Sequence, residues 1–404
     1  MKPANVAGPT VRGSDFWGRE QEVAAMWRLL GHGSVLLTAP RRHGKSSLMN
    51  ALADAPREGW TVVYLDVEYV ETPSAFLTEI AAALLQLDGF RKLIRKTAAA
   101  TGALIRWIGH LKDDLIDGKH GIGESKISLR DALRDEASWP ELAEQLLNQL
   151  ERFEEKLLII LDEFPMMIAN MLDHNDPRAI EFLKWFRGQR QRQRTANVRF
   201  LLGGSVNIEP RLERLRCEAL LNDLERFRLE PLDRPRAEQF VKEVLEAESA
   251  DFEPEVPKEI VRVADCGVHF FLHVLIAECL SAARHNHRML TTADIQPIYN
   301  DRVLGPGNRT RFSHYRSRLR EYYGPLERAA HIVLDELAAR SELTTTTLSE
   351  RPRLADERPI DLEHVLMLLE SDYYIVRDGE ALRFSSGFLR DWWLRNAASS
   401  RGRI

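Results

Sequence analysis

The 404-residue sequence predicts an α/β protein built on a parallel sheet, followed by an all-helical segment and a C-terminal part of helices and a hairpin. Four apolar runs, SVLLT, TVVYLDVE, KLLIILDEF and VRFLLGGS, are continuous rather than alternating, which is the pattern of strands covered on both faces. Segments with helical periodicity separate them, as a layered α/β core requires. Near the C terminus, helical ERAAHIVLDELAAR and DLEHVLMLLESD precede YYIVRDGEALRF, whose Asp378-Gly379 pair marks a β-hairpin.

Taken in order, EQEVAAMWRLL carries apolar residues at helical spacing and leads into the strand SVLLT. The second strand is TVVYLDVE (Thr61–Glu68). A long insertion follows, opening with helical TPSAFLTEIAAALLQL and closing with helical WPELAEQLLNQLERF. The charged, glycine-bearing HLKDDLIDGKHGIGESKISLRD between them reads as an exposed excursion or small hairpin. KLLIILDEF (Lys156–Phe164) and VRFLLGGS (Val198–Ser205) are the third and fourth strands. FRLEPL (Phe227–Leu232) is expected as a fifth, with a boundary near Asp233. RPRAEQFVKEVLEAE and the residues to about Asn300 read as helical, and GPGNR (Gly305–Arg309) is the strongest linker signal. The expected domains are 1–232, 233–304 and 305–404, the last a winged helix.

Composition narrows the function classes. Hydrophobic residues at 44% and charged residues at 29% describe an ordinary globular chain. A formal charge of −5 argues against binding nucleic acid through global charge and leaves only local basic patches. The longest apolar run, VHFFLHVLIAECL, falls short of the ~20 residues of a membrane helix. The amino terminus lacks the apolar core of a secretory signal, and Cys217, Cys266 and Cys279 suggest no disulfide framework, so a cytoplasmic location without membrane contact is expected. Cys266, His269, His273 and Cys279 invite a zinc reading, but one apolar helix does not easily turn Cys279 back toward Cys266, and a packed core is expected instead.

Chemistry concentrates in SVLLTAPRRHGKSSLMNAL. A strand ending in a tight loop with Gly-Lys-Ser at a helix start presents backbone N–H groups and a positive helix end to an anion, and phosphate fits that site. The candidate cradle comprises Pro40, Arg41, Arg42, His43, Gly44, Lys45, Ser46 and Ser47. Lys45 would reach the β- and γ-phosphates of ATP, and Ser46 would hold Mg2+. The pattern G-x-x-x-x-G-K-[ST] is met except that Ala39 replaces its first glycine, which requires a negative φ there. The partner motif is LLIILDEF, which delivers Asp162 as a second magnesium-holding group and Glu163 as the residue that activates the attacking water.

Together with FWGREQEV, these residues resemble the AAA+ and STAND P-loop ATPases, and most closely the prokaryotic ATPases related to the origin-recognition group. The resemblance rests on FWGRE, APRRHGKSSL, LDEFP and GGS. It implies slow, Mg-dependent ATP hydrolysis, a helical lid and a C-terminal winged helix. It implies further that Gly18 and Arg19 lie near the adenine, that Ser205 or Asn207 senses the γ-phosphate, and that an arginine finger comes from a neighbouring subunit of a homo-oligomer. Arg226, or Arg187, Arg190 and Arg194 on one helical face, are the finger candidates; a solvated helix face is the alternative for the latter three. The family's lid sensor is missing, since CGVHFFLHVL puts His269 in that region.

The expected winged-helix recognition segment carries Asp361, Glu363, Glu370 and Asp372 without a Lys or Arg and would repel DNA. Arg309, Arg311, Arg316, Arg318 and Arg320 form a better local patch for phosphates, with pairing to the acidic winged helix as the alternative. Three readings follow: an ATP-driven switch acting on a protein partner or effector, a DNA-binding initiator or loader, and an adaptor that binds ATP without turning it over.

Overall fold

The computed structural model describes residues 2–97, 139–173, 178–193, 197–204, 212–213, 215–351 and 361–397. The charged excursion in the insertion, together with Arg194, Ser205 and Asn207, lies outside the described residues. The chain forms two compact units, one of Glu20–Thr38 and Lys45–Leu229, the other of Met1–Arg19, Ala39–Gly44 and Glu230–Ile404.

The first unit holds the sheet. Its elements are α1 (Glu20–His32), β1 (Val35–Thr38), α2 (Lys45–Asp54), β2 (Trp60–Asp66), α3 (Pro73–Leu84), α4 (Asp88–Thr97), α5 (Trp139–Leu150), β3 (Lys156–Asp162), α6 (Phe164–Asp173), α7 (Arg178–Gln193), β4 (Val198–Gly204) and β5 (Glu225–Arg228). The five strands lie in the order β2-β3-β4-β1-β5, and every neighbouring pair is parallel. Every residue of β3 after Lys156 is buried, which is why its run shows no alternation. Between β1 and β3 stands β4, so the carboxyl ends of the two motif-bearing strands are one strand apart. The fifth strand starts at Glu225 rather than Phe227 and pairs with β1 at the sheet edge. Thr72 caps α3 by accepting the Ala75 N–H at 3.2 Å, and Pro73 occupies the first turn, where its missing N–H costs nothing.

The second unit carries α8 (Arg234–Ala247), α9 (Val256–Ala264), α10 (His269–Asn286), α11 (Thr292–Ile298), α12 (Arg309–Phe312), α13 (His314–Tyr322), α14 (Glu327–Arg340), β6 (Glu342–Thr344), α15 (Thr345–Ser349), α16 (Leu362–Ser371), β7 (Ile375–Asp378), β8 (Ala381–Phe384) and α17 (Gly387–Ala397). The start of α8 is set by Asp233, whose carboxylate accepts the Arg236 N–H at 2.9 Å, and that of α11 by a reciprocal Thr291–Asp294 capping box. Strands β6, β8 and β7 form an antiparallel sheet in that order, with Gly379 at φ 61 in the hairpin turn. One hydrophobic core runs from Leu232 to Trp393. Phe271 of α10 stacks on Phe388 of α17 at 4.2 Å, and Phe312 meets the same ring at 4.9 Å. The Gly305–Arg309 stretch is tightly folded: a Cβ on Gly305 would fall 2.2 Å from the Asp301 carbonyl oxygen.

The histidines of α10 are built into this core. His269 Nε2 lies 3.3 Å from the Trp17 carbonyl oxygen, and His273 Nδ1 lies 2.7 Å from the Asn5 side-chain amide. Burial pushes His269 down to about 3 and His273 to about 4. An unfolded chain takes up these protons below about 6.5 whereas the folded chain does not, so stability is complete above that pH and falls as pH drops toward 4. The melting temperature is therefore expected to decline from pH 6.5 to 4.5, with each histidine contributing at most about 1.4 kcal/mol per pH unit. His273→Gln should flatten the slope; equal slopes in the variant and the parent would refute this origin.

Candidate functional site

From β1 the chain passes through Ala39–Gly44 into α2. Ala39 stays out of the left-handed region, which is the condition its substitution for glycine imposes, while Arg42 (φ 71) and Gly44 (φ 86) enter it. The His43 N–H donates to the Pro40 carbonyl at 3.3 Å, and the His43 ring is buried with Nδ1 3.2 Å from the Arg41 carbonyl oxygen. Gly18 and Arg19 sit together, Gly18 with φ 69 and Arg19 buried with Nη1 donating to the Glu230 carbonyl at 2.8 Å.

Lys45, Ser46 and Ser47 open α2, with Lys45 and Ser47 buried. The Lys45 ammonium donates to Asp162 Oδ1 and lies 3.5 Å from Glu163 Oε1. Asp162, the last residue of β3, also accepts hydrogen bonds from the Ser46 side chain, from the Tyr64 hydroxyl at 2.9 Å and from the Glu163 N–H at 2.9 Å. Burial alone would raise the Asp162 carboxyl; the Lys45 charge and these hydrogen bonds outweigh it and hold the group below the ordinary carboxylate range. Glu163 is a non-glycine residue at φ 56, a conformation that costs on the order of 1–3 kcal/mol and recurs at functional sites. Its carbonyl accepts the N–H groups of Met166 and Met167, so the strained residue is fixed by the first turn of α6.

These residues place one ammonium, one hydroxyl and two carboxylates in a largely buried cluster. An oxygen donor set of Ser46, Asp162 and Glu163 suits a hard cation such as magnesium, and an ammonium at the start of a helix suits a phosphate chain. The finger candidates separate. Arg190 is fully buried, clamps Asp223 through Nε and Nη2 at 2.9 and 2.8 Å, donates to the Leu220 carbonyl and lies on the Phe186 ring, so its guanidinium is committed within the unit. Arg187 donates to Asn222 Oδ1 at 3.1 Å. Arg226 is exposed on β5, opposite Leu36. The sensor candidates Ser205 and Asn207 are outside the described residues, but β4 ends beside them in Gly203 and Gly204.

Two contributors escape a reading by spacing. Tyr64 reaches Asp162 from the neighbouring strand, and only the parallel β2–β3 register, in which Asp66 pairs with Asp162, brings it there. The other is Gly203, where a Cβ would fall 2.1 Å from Met49 Cε and 3.4 Å from Lys45 Cδ; at Gly204 it would fall 2.4 Å from Pro165 Cδ. The two glycines let α2 and α6 approach the sheet at the motif residues. Gly203→Ala is expected to displace the buried Met49 side chain that packs beside Lys45, destabilising the chain by about 1–3 kcal/mol and weakening nucleotide binding. Unchanged melting and unchanged affinity would contradict this packing role.

No protein-family model and no curated protein matches the chain. Solved structures do. The Walker-type ATPase PABY2304 of Pyrococcus abyssi superposes with a TM-score of 0.65 over 96% of this chain and 99% of that one, at 16% sequence identity. The ORC2 protein of Aeropyrum pernix, solved in ADPNP–ADP complexes, superposes with a TM-score of 0.54 over 98% of this chain and 97% of that one, at 14% identity. Identity this low carries the architecture rather than the activity. The chain shares the overall fold of these two proteins, an α/β architecture of the P-loop kind that its loop and strand-tip motifs implied.

Proposed function

We propose that the chain is a magnesium-dependent ATPase that acts as a nucleotide-controlled switch. The observation that carries this reading is the convergence of Lys45, Ser46, Asp162 and Glu163 on one buried point. Main-chain amides of residues 40–46 and the Lys45 ammonium would receive the triphosphate. Magnesium, when bound, neutralises phosphate oxygens; Ser46 and Asp162 would hold it. The Glu163 carboxylate would orient a water and take its proton. Since Lys45 is engaged by Asp162, ATP must first draw the ammonium away, so binding and rearrangement of the acids are linked. The switch would comprise an ATPase part (1–232), a helical lid (233–304) and a winged helix (305–404), the last supported by the antiparallel sheet with its flanking helices. A homo-oligomer in which Arg226 acts on a neighbour is the form in which turnover would be fastest. None of the described helices is long and apolar enough to cross a membrane, and a cytoplasmic setting suits the reading.

A DNA-binding initiator is the second reading, favoured by the fold shared with the ORC2 protein. The acids in and just after α16 are engaged internally, Glu363 and Glu370 by Arg377 and Asp372 by the Tyr323 hydroxyl. Of the arginine patch, Arg318 is buried near Asp372, Arg316 lies over Trp393 and Arg320 pairs with Glu327 at 3.9 Å, leaving Arg309 and Arg311 exposed for phosphates.

Lys45→Ala is expected to abolish ATP binding. Glu163→Gln should keep ATP affinity while lowering phosphate release by about 10²–10⁴-fold. Parent-like turnover in both variants would end the ATPase reading, and ATP binding without release in the parent would leave only an adaptor.

A further inference from the structure

We propose that Tyr64 sets the metal selectivity of the site, favouring magnesium over calcium by withholding one oxygen of the Asp162 carboxylate. The inference rests on the magnesium–nucleotide reading above and gives a positioning role to a residue of β2 that belongs to neither motif. In the parallel β2–β3 register Asp66 stands opposite Asp162 and Tyr64 opposite Ile160, so Tyr64 and Asp162 are diagonal neighbours on one face of the sheet. A short side chain does not span that diagonal, whereas a phenol does: the Tyr64 hydroxyl donates to Asp162 Oδ2 at 2.9 Å. Asp66, the direct neighbour, is engaged by its own turn, where its Oδ1 accepts the Glu68 N–H at 3.0 Å.

The two oxygens of Asp162 are thereby sorted. Oδ1 accepts from the Lys45 ammonium and from the Glu163 N–H at 2.9 Å, while Oδ2 is held by Tyr64. A phosphate chain that draws Lys45 away releases a lone pair on Oδ1 alone, because it offers nothing that competes for a bond between a phenol and a carboxylate. Asp162 then has one oxygen to give to a cation or to one of its waters. That division separates the two commonest hard divalent cations. Magnesium demands an octahedral shell at about 2.0–2.1 Å and keeps several of its waters, so it needs few protein oxygens. Calcium gathers about six to eight oxygens at about 2.3–2.6 Å and accepts both oxygens of one carboxylate. Ser46 with a single oxygen of Asp162 is a sparse donor set that suits the first and leaves the second short of partners. Without the phenol, Asp162 is able to offer both oxygens.

The test uses the full chain and a non-hydrolysable ATP analogue, titrated calorimetrically against the parent and Tyr64→Phe in magnesium, in calcium and in EDTA. Phenylalanine keeps the ring and removes one oxygen; Tyr64→Leu takes its place if the melting curve shows Tyr64→Phe unfolded. The readout is the ratio of the dissociation constants in calcium and in magnesium, which a general loosening of the site does not move. The parent is expected to prefer magnesium by about tenfold or more, and the ratio in the variant to fall at least about fivefold, chiefly through tighter binding with calcium. A variant ratio within about twofold of the parent's overturns the proposal, even where both affinities drop together, and so does a parent without preference. Metal-dependent binding in the parent leaves the nucleotide reading standing in those cases. Analogue affinity unchanged by EDTA, together with undiminished binding in Lys45→Ala, overturns that reading and the selectivity role with it.

Discussion

The arrangement depends on one buried ion pair. Lys45 and Asp162, 6% and 4% exposed, carry opposite charges that neither tolerates alone at that depth. The Asp162 carboxylate is further satisfied by a hydroxyl from Ser46, a phenol from β2 and the backbone N–H of Glu163, leaving few of its lone pairs unused. A pair so supported holds the start of α2 against the end of β3, and it also sets the condition for ligand binding. An incoming polyphosphate has to offer Lys45 a better anion than Asp162, and a cation has to offer Asp162 a better partner than Lys45. Nucleotide and metal are thereby expected to bind as a unit.

Strand order is what makes the pair possible. With β4 between β1 and β3, the carboxyl end of β1 and the acids at the tip of β3 have one strand between them, about 5 Å on each side. That strand must end without side chains, since α2 and α6 press on it from Met49 and Pro165. The same sheet leaves β5 at an edge, exposing Arg226 without disturbing the buried cluster.

Features encoded by short-range pattern were legible in the sequence. Continuous apolar runs predicted four of the five parallel strands, the Gly-Lys-Ser loop and the Asp-Glu strand tip located the cluster, and Asp378-Gly379 located the hairpin. Properties that depend on which distant residues meet were not legible. Tyr64 looks like any strand aromatic until the β2–β3 register is known. Arg190 reads as a finger candidate or part of a solvated helix face, and Arg318 as part of a phosphate patch or a partner of the acidic C-terminal segment; that Asp223 and Asp372 face them depends on the tertiary structure. The helical spacing of Arg187 and Arg190 was real, but spacing does not say which face is buried.

The most direct measurement is a structure of the full chain with magnesium and a non-hydrolysable ATP analogue. The account predicts that Lys45 Nζ leaves Asp162 for the phosphate oxygens, while Ser46 and Asp162 converge on the metal side of the nucleotide. A nucleotide bound elsewhere, with Lys45 and Asp162 still joined, would contradict it.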